Sequence, residues 1–176
     1  YSPINDWVRK DFGFFQSGDP VDMHCIVYEI PLPSLHWYNW PNSGSRLISN
    51  GCHWLDYFLY LNRFAPVIDA DVIPLRGSDL SAWVRLDNGA QLVMSLTDAG
   101  SQRLGVRDII ELRSANKTVR ITDGTYYQAE NSNKMLRRRK VNPMEAYAIM
   151  YKNICNSILH GKEGDPIKAL QSTKFT

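Results

Sequence analysis

Two runs of alternating apolar residues, joined by an Asn-Gly pair, constrain the fold of this chain more than any other feature. Apolar side chains occupy every second position from Leu80 to Leu86, and again from Ala90 to Leu96. Asn88-Gly89 between them suits a tight hairpin turn, because both residues tolerate the positive φ angles that such a turn needs. The pattern predicts two antiparallel strands with one buried face.

Other segments predict strands on both sides of this hairpin. Residues 67–73 form one strand, and residues 106–113 and 118–122 form a second hairpin, after which Asp123-Gly124 turns the chain again. Residues 21–30 carry apolar side chains at both even and odd positions, which is typical of a central strand. His24 in that strand is therefore expected to be packed, and the strands together predict an antiparallel meander.

Three helices are predicted, at residues 3–12, at residues 45–62 and from Asn142 to about His160. The middle helix is strongly amphipathic, and the polar residues on one of its faces are Arg46, Ser49, Asn50, His53, Asp56, Tyr57 and Tyr60. The last helix starts with an N-cap at Asn142, a first-turn proline and the capping-box acid Glu145. An apolar stripe runs along it from Met144 to Ile158.

These elements predict an α+β fold, a mostly antiparallel open-faced sheet with helices packed on one face. A chain of 176 residues with 44% apolar side chains can bury one core, so residues 1–176 are expected to form a single domain. No predicted helix remains to cover the second sheet face, which carries Trp83, Val93, Ile109 and Tyr126-Tyr127. We expect that open face to contact a second copy or a neighbouring domain.

Composition argues against several classes of function. No apolar run reaches the roughly 18 residues of a membrane span and no charged-then-apolar leader precedes the first helix, so a cytoplasmic protein without membrane contact is expected. A net charge of +2 does not indicate a nucleic-acid partner, and the basic run at residues 137–140 is interpreted as a solvated loop. Three cysteines in three separate elements favour buried thiols over a disulfide framework.

His53 and Asp56 are the strongest candidates for chemistry, because their spacing places them on one face of the middle helix. A histidine near a carboxylate can take up and release protons near neutral pH, although solvation alone also puts polar residues on an outer helix face. A metal site is not expected, since the four histidines lie in four separate segments. No G-x-G-x-x-G follows a strand, so this chain is not expected to bind a dinucleotide by itself.

The segment from Gly44 to Asp56, with Gly51 and His53 at the matching positions, resembles the G-G-x-[LI]-x-x-x-G-x-H-x-x-D segment of the Gfo/Idh/MocA oxidoreductases. That segment belongs to the C-terminal domain of the family. Tyr1-Ser2-Pro3 is similar to the R-[FY]-S-P sequence after the family's Rossmann domain, and His36-Trp37 to its H-W pair. The resemblance extends over nearly the whole chain.

This resemblance implies a substrate-binding and oligomerisation domain that works with an N-terminal Rossmann domain absent from this chain. The Rossmann domain binds NAD or NADP, and the family reaction transfers hydride at a carbinol carbon of a sugar or cyclitol. His53 matches the family's catalytic histidine, which relays the hydroxyl proton together with a lysine of the Rossmann domain. The enzyme hypothesis adds Asp56 as a support that orients His53, and it takes Arg46, Asn50, Trp37 and Tyr38 as substrate-binding residues.

Two positions depart from the family pattern. Ser49 stands where many members have an aspartate, and Asn50 stands where a subgroup has an acid. These departures keep a second hypothesis open, a non-catalytic module that retains the fold for assembly or carbohydrate binding. An unrelated α+β ligand-binding fold is the third alternative.

Overall fold

The computed structural model describes residues 3–13, 17–37, 40 and 46–161. The predicted helix start at Ser45 and the tail from Lys162 onward lie outside these residues. Within these described residues, three α-helices and eight strands follow one another: α1 (Pro3–Phe12), β1 (Asp22–Tyr28), α2 (Cys52–Leu61), β2 (Val67–Pro74), β3 (Leu80–Leu86), β4 (Gln91–Thr97), β5 (Arg107–Ser114), β6 (Lys117–Thr122), β7 (Tyr126–Asn131), β8 (Met135–Lys140) and α3 (Pro143–Leu159).

The eight strands form one sheet in the order β2-β3-β4-β1-β5-β6-β7-β8. Neighbouring strands are antiparallel except β1 and β4, which run parallel. The predicted first hairpin is confirmed, with Leu80 opposite Leu96, and so is the second, with Ile109 opposite Thr122. The predicted fold class, an open-faced, mostly antiparallel α+β sheet with helices on one side, is also confirmed.

The basic run at residues 137–140 is an edge strand, so its interpretation as a solvated loop was wrong. Strand alternation sends its side chains to opposite sheet faces. On the helix side, Arg137 donates to both carboxylate oxygens of Asp11 at 2.9 and 3.1 Å and lies over the ring of Trp7. Arg138 and Lys140 project from the other face and are exposed. Of the cations in this run, Arg137 therefore forms a structural ion pair, whereas Arg138 and Lys140 give the outer edge its charge.

The hydrophobic core lies between one sheet face and helices α1 and α2. In β1, Met23, Cys25 and Val27 are buried in this core, whereas His24 and Ile26 are exposed. The strand is central, as predicted, because it pairs on both sides. The prediction that His24 is packed was wrong, since it lies on the sheet face that no described helix covers.

The end of α2 is tied to the start of β1 by Asn62. This buried side chain accepts a hydrogen bond from Val21 N at 3.0 Å and donates to Val21 O at 2.9 Å and Phe58 O at 3.0 Å. A buried amide is stable only when its donors and acceptor are used, and here each has a partner. The network therefore fixes where α2 ends above the sheet, and with it the faces that the helix turns inward and outward.

Helix α3 starts as predicted, with the Asn142 side chain accepting a hydrogen bond from Met144 N at 3.0 Å and Pro143 in the first turn. None of its residues is buried. Along the predicted apolar stripe, Met144 is 74% exposed and Ile158 is 69% exposed. The stripe is therefore present as a sequence pattern, and most of its residues are exposed in the described part of the chain. Among the described residues, no helix is long and apolar enough to cross a membrane.

Candidate functional site

Helix α2 begins with an irregular turn that carries the candidate residues. Residues Leu47–Gly51 form a π-helical turn that continues directly into α2. Such a turn widens the helix by one residue and is frequent at functional sites. Gly51 allows it to sit on the sheet, since a Cβ there would lie only 2.8 Å from Leu47 Cδ1 and 3.3 Å from Leu96 Cδ1. The turn also shifts Ser49 and Asn50 from the positions relative to His53 that an ideal α-helix gives them.

Arg46, a predicted substrate contact, is enclosed by carboxylates at the start of this turn. Its guanidinium nitrogens lie 3.4 Å from Glu29 Oε2, 3.7 Å from Asp79 Oδ1 and 3.3 Å from Asp98 Oδ2. Only 6% of the Arg46 side chain is exposed. The three acids follow β1, precede β3 and follow β4, so Arg46 joins the helix start to the sheet. This environment favours a structural role over the predicted substrate contact.

Asp79 holds its charge within this cluster. Burial alone would raise its pKa, but the Asp98 N–H and the Thr97 hydroxyl, each donating to it at 2.8 Å, lower it together with Arg46 and Arg76. The net effect is a pKa below the usual value for aspartate. Asp79 therefore stays ionised near neutral pH, as the ion pair with Arg46 requires.

His53 and Asp56 both lie on the exposed side of α2. Among the described residues, however, no hydrogen bond or ion pair joins the imidazole to the carboxylate. The contact by which Asp56 would orient His53 is therefore not formed in this structure, and the supporting role of Asp56 stays a prediction. Because His53 is exposed, its side chain is accessible to a group that approaches from outside the domain.

Two of the remaining predicted substrate residues, Asn50 and Trp37, are described by the structure. The side-chain oxygen of Asn50 accepts a hydrogen bond from Trp54 Nε1 at 3.1 Å, one helical turn later. Trp37 is 49% exposed, and its ring lies 5.8 Å from that of His36, with a tilt of 30° between the two planes. Tyr38 lies outside the described residues.

A cavity among the three helices was not predicted from the sequence. It has a volume of about 480 Å³. The residues that line it are polar or aromatic: Asn5, Asp6, Arg9, Asp56, Tyr57, Tyr60 and Asn153. Tyr57 contributes a buried hydroxyl with no hydrogen-bond partner among the described residues, and burial raises the pKa of that phenol. Each of the three helices contributes residues to the cavity. Because sequence periodicity does not indicate which helices pack together, the cavity could not be predicted from the sequence.

The described part of the chain offers no site for a metal ion or a dinucleotide. No group of three or more histidine, cysteine, aspartate or glutamate side chains is arranged for metal binding there. The single parallel pair, β1 and β4, is connected through α2, β2 and β3, without the glycine-rich strand-to-helix turn that cradles a pyrophosphate. The residues present therefore do not fit a dinucleotide by themselves.

No family model matches this sequence, and no curated protein does either. Solved structures do match. UDP-N-acetylglucosamine 3-dehydrogenase GnnA from Acidithiobacillus ferrooxidans superposes with a TM-score of 0.77 at 13% identity, over 98% of this chain and 55% of that chain. A Gfo/Idh/MocA family oxidoreductase from Vibrio cholerae gives a TM-score of 0.65 at 12% identity, over 97% of this chain and 55% of that one.

An oxidoreductase domain protein from Kribbella flavida matches with a TM-score of 0.71 at 13% identity, over 97% of this chain and 58% of that chain. The chain thus spans about half the length of these structures. Its fold is that of the C-terminal domain of Gfo/Idh/MocA oxidoreductases.

Proposed function

We propose that this chain is the substrate-binding and oligomerisation domain of a Gfo/Idh/MocA-type oxidoreductase that uses NAD or NADP. One observation supports this above the others. The fold matches such enzymes over 98% of the chain, and His53 is exposed at the start of the helix that the sequence motif marks. Neither the fold nor the motif alone implies an activity, but here both support the same kind of enzyme.

The cofactor belongs to a separate domain in this proposal. When bound, NAD or NADP accepts or supplies the hydride. The described residues of this chain do not fit it, so an N-terminal Rossmann domain of the same protein is the proposed partner. Support comes from the matched structures, of which this chain spans about half.

His53 is the proposed proton relay. Its imidazole accepts the proton of a substrate hydroxyl as that carbon is oxidised, and returns it in the reverse direction. Asn50, Asp56, Trp37 and Tyr38 are the proposed residues around the substrate. We assign Arg46 to holding the π-helical turn on the sheet, because its guanidinium already faces three carboxylates.

The proposed substrate is a sugar or cyclitol derivative. The cavity beside Asp56 supports this class, since its amides, carboxylates and phenols are the groups that bind hydroxyls, and its tyrosine rings can pack on a sugar face. The name of the Acidithiobacillus protein, a dehydrogenase of UDP-N-acetylglucosamine, is in keeping with this choice.

The test is the substitution His53→Ala in a form of the protein that includes the cofactor domain. A panel of sugars, nucleotide sugars and cyclitols is first screened for NAD and NADP reduction by absorbance at about 340 nm. We expect kcat/KM on the best substrate to fall 10²–10⁴-fold in the variant, the usual contribution of a general acid–base group. His160→Ala is the matched control, because His160 is exposed at the C-terminal end of α3. A fall of less than about threefold would reject the assignment of His53.

A second candidate is a non-catalytic module for assembly or carbohydrate binding. Two observations favour it. Among the described residues, no hydrogen bond or ion pair joins His53 to a carboxylate. Asn50 stands where a subgroup of the family has an acid, and its side-chain oxygen accepts a hydrogen bond from Trp54 Nε1. The sequence upstream of Tyr1 separates the two candidates. A glycine-rich G-x-G-x-x-G and an E-K-P-like lysine there would support the enzyme, and their absence would support the module.

A further inference from the structure

A basic depression opens above strands β6, β7 and β8, on the side of the sheet that no described helix covers. It has a volume of about 360 Å³, within the roughly 300–1,000 Å³ that is usual for small-molecule sites. Four of the residues that line it are cationic and none is acidic: Arg120, Thr122, Tyr126, Tyr127, Gln128, Arg138, Arg139 and Lys140. Both the size and the charge of the depression therefore indicate a small anionic ligand.

Cross-strand register arranges six of these side chains in two rows on the open face of the sheet. One row consists of Arg120, Gln128 and Arg138, and the other of Thr122, Tyr126 and Lys140. Ile121, Tyr127 and Arg139 alternate with them and belong to the helix side, where Ile121 and Tyr127 are buried. Neighbouring strands are about 4.8 Å apart, and residues two positions apart on one strand about 6.8 Å. Long cationic side chains from such positions can converge on one small group.

Two cations of the basic depression have no acidic partner. Arg120 forms ion pairs with Glu111 at 2.8 Å and with Glu130 at 3.4 Å, so its charge is offset. In contrast, no ion pair joins Arg138 or Lys140 to a carboxylate in the described part of the chain. Both of these side chains are exposed. The β8 side of the depression therefore carries two uncompensated positive charges.

The donors in the basic depression suit a phosphate better than a carboxylate. The guanidinium of Arg138 can donate two parallel hydrogen bonds to phosphate oxygens, and the ammonium of Lys140 acts as a point charge. Lys140 Nζ lies 5.1 Å from the centre of the Tyr126 ring, which keeps the ammonium above the floor of the depression. The hydroxyls of Tyr126 and Thr122 add neutral donors in the same row. One arginine can occupy both oxygens of a carboxylate, whereas the three terminal oxygens of a phosphate can use all of these groups.

We propose that the basic depression binds a phosphate group, either free or carried by a small organic molecule, through Arg138 and Lys140. Thr122 and Tyr126 donate hydrogen bonds beside them. Since one water molecule occupies about 30 Å³, a single phosphate fills only part of the depression, and a sugar-sized group also has room. His53 belongs to α2, which packs on the opposite face of the sheet. The phosphate site therefore goes beyond the proposed function and does not rest on it.

Titrations followed by amide NMR chemical shifts test the site. Inorganic phosphate, glucose 6-phosphate and acetate are added separately to the 176-residue chain at a pH of about 7.5, where phosphates are largely dianions. We expect both phosphates to shift signals of β6, β7 and β8 with dissociation constants below about 1 mM, and acetate to bind at least tenfold more weakly. Tighter binding of glucose 6-phosphate than of inorganic phosphate would identify an organic phosphate as the ligand. Equal binding would show that the phosphate group alone is recognised.

The double substitution Arg138→Gln with Lys140→Gln should raise the dissociation constant for phosphate at least tenfold, because it removes both uncompensated charges. Arg103→Gln with Lys152→Gln is the matched control, since it makes the same change in net charge at exposed residues that do not line the depression. The control should change the constant less than about twofold. Lys140→Arg keeps the charge and should stay within about threefold of the wild-type constant, which separates a loss of charge from a disturbed edge strand.

Three results would overturn the phosphate site. The first is the absence of a saturable shift in β6, β7 and β8 up to about 20 mM phosphate. The second is binding of acetate as tight as that of phosphate, which would indicate a surface that attracts any anion. The third is equal weakening in the control pair and in the Arg138 and Lys140 pair, which would indicate an effect of net charge alone. None of these results depends on turnover, so the roles proposed for His53 and the cofactor domain are tested separately.

Discussion

Helices α2 and α3 show how far an amphipathic pattern determines what a helix packs against. Both were predicted from apolar residues at helical spacing. Helix α2 buries four of its ten residues, Leu55, Phe58, Leu59 and Leu61, against the sheet. Helix α3 has seventeen residues and buries none of them. The same kind of sequence pattern is therefore buried in the core in α2 and exposed in α3.

The difference follows from what anchors each helix. Helix α2 is held at its start by the Arg46 cluster, through the π-helical turn, and at its end by the four hydrogen bonds of the Asn62 side chain. In α3, the described anchor is the cap at Asn142, which fixes where the helix begins but not where it lies. Because periodicity reports only that one side of a helix is apolar, the partner has to be specified by other residues.

The largest effect that separates the two helices is expected from Leu59→Ala. Leu59 is fully buried in α2, so the substitution removes its packing and leaves a cavity against the sheet. We expect the free energy of unfolding to fall by about 2–5 kcal/mol, the range for buried leucines. Urea denaturation followed by circular dichroism measures the change. A loss below about 1 kcal/mol would mean that α2 does not pack as tightly as the structure indicates.

A smaller, pH-dependent effect is expected from the cluster that anchors α2. The pKa of Asp79 is lowered in the folded protein, so its contribution to stability is complete above the unfolded-state value of about 3.9. That contribution is lost as the pH falls through that value towards the folded pKa. Asp79→Asn should therefore lower the urea midpoint at pH 7 and make the midpoint less dependent on pH between about 5 and 3.

Asp19→Asn serves as the control for this experiment, because Asp19 is exposed in the loop between α1 and β1. It should leave both the midpoint and its pH dependence close to the wild-type values. Equal acid sensitivity of the Asp79→Asn variant and the wild-type chain would show that the Arg46 cluster does not stabilise α2 through charge.

The fold could be predicted from sequence where the signal was local. Hairpin turns such as Asn88-Gly89 and caps such as Asn142 indicate where an element begins or ends, and those predictions were confirmed. The interpretation of residues 137–140 failed, because four cations in a row hide strand alternation. The prediction for His24 failed because apolar neighbours on both strand faces do not reveal that one face remains uncovered.

The candidate site was predictable only in part, since its geometry depends on long-range contacts. Sequence spacing placed His53 and Asp56 on one exposed helix face, as the structure does. It did not indicate the π-helical turn, which shifts Asn50, or the carboxylates from three loops that enclose Arg46. The residues that carry these carboxylates are 17 to 52 positions away from Arg46 in the sequence. Such a separation is beyond the range of any helical pattern.

The smallest effect is expected from Leu159→Ala, the same chemical change placed in α3. Leu159 is 80% exposed, so truncating it removes little buried area, and the free energy of unfolding should change by no more than about 0.5 kcal/mol. The measurement is the same urea titration used for Leu59→Ala, with both variants compared at the same series of protein concentrations. A loss of 2 kcal/mol or more would show that α3 is covered in solution, and the contrast between the two helices would disappear. If the loss grew with protein concentration, the cover would be a second copy, because association then contributes to stability.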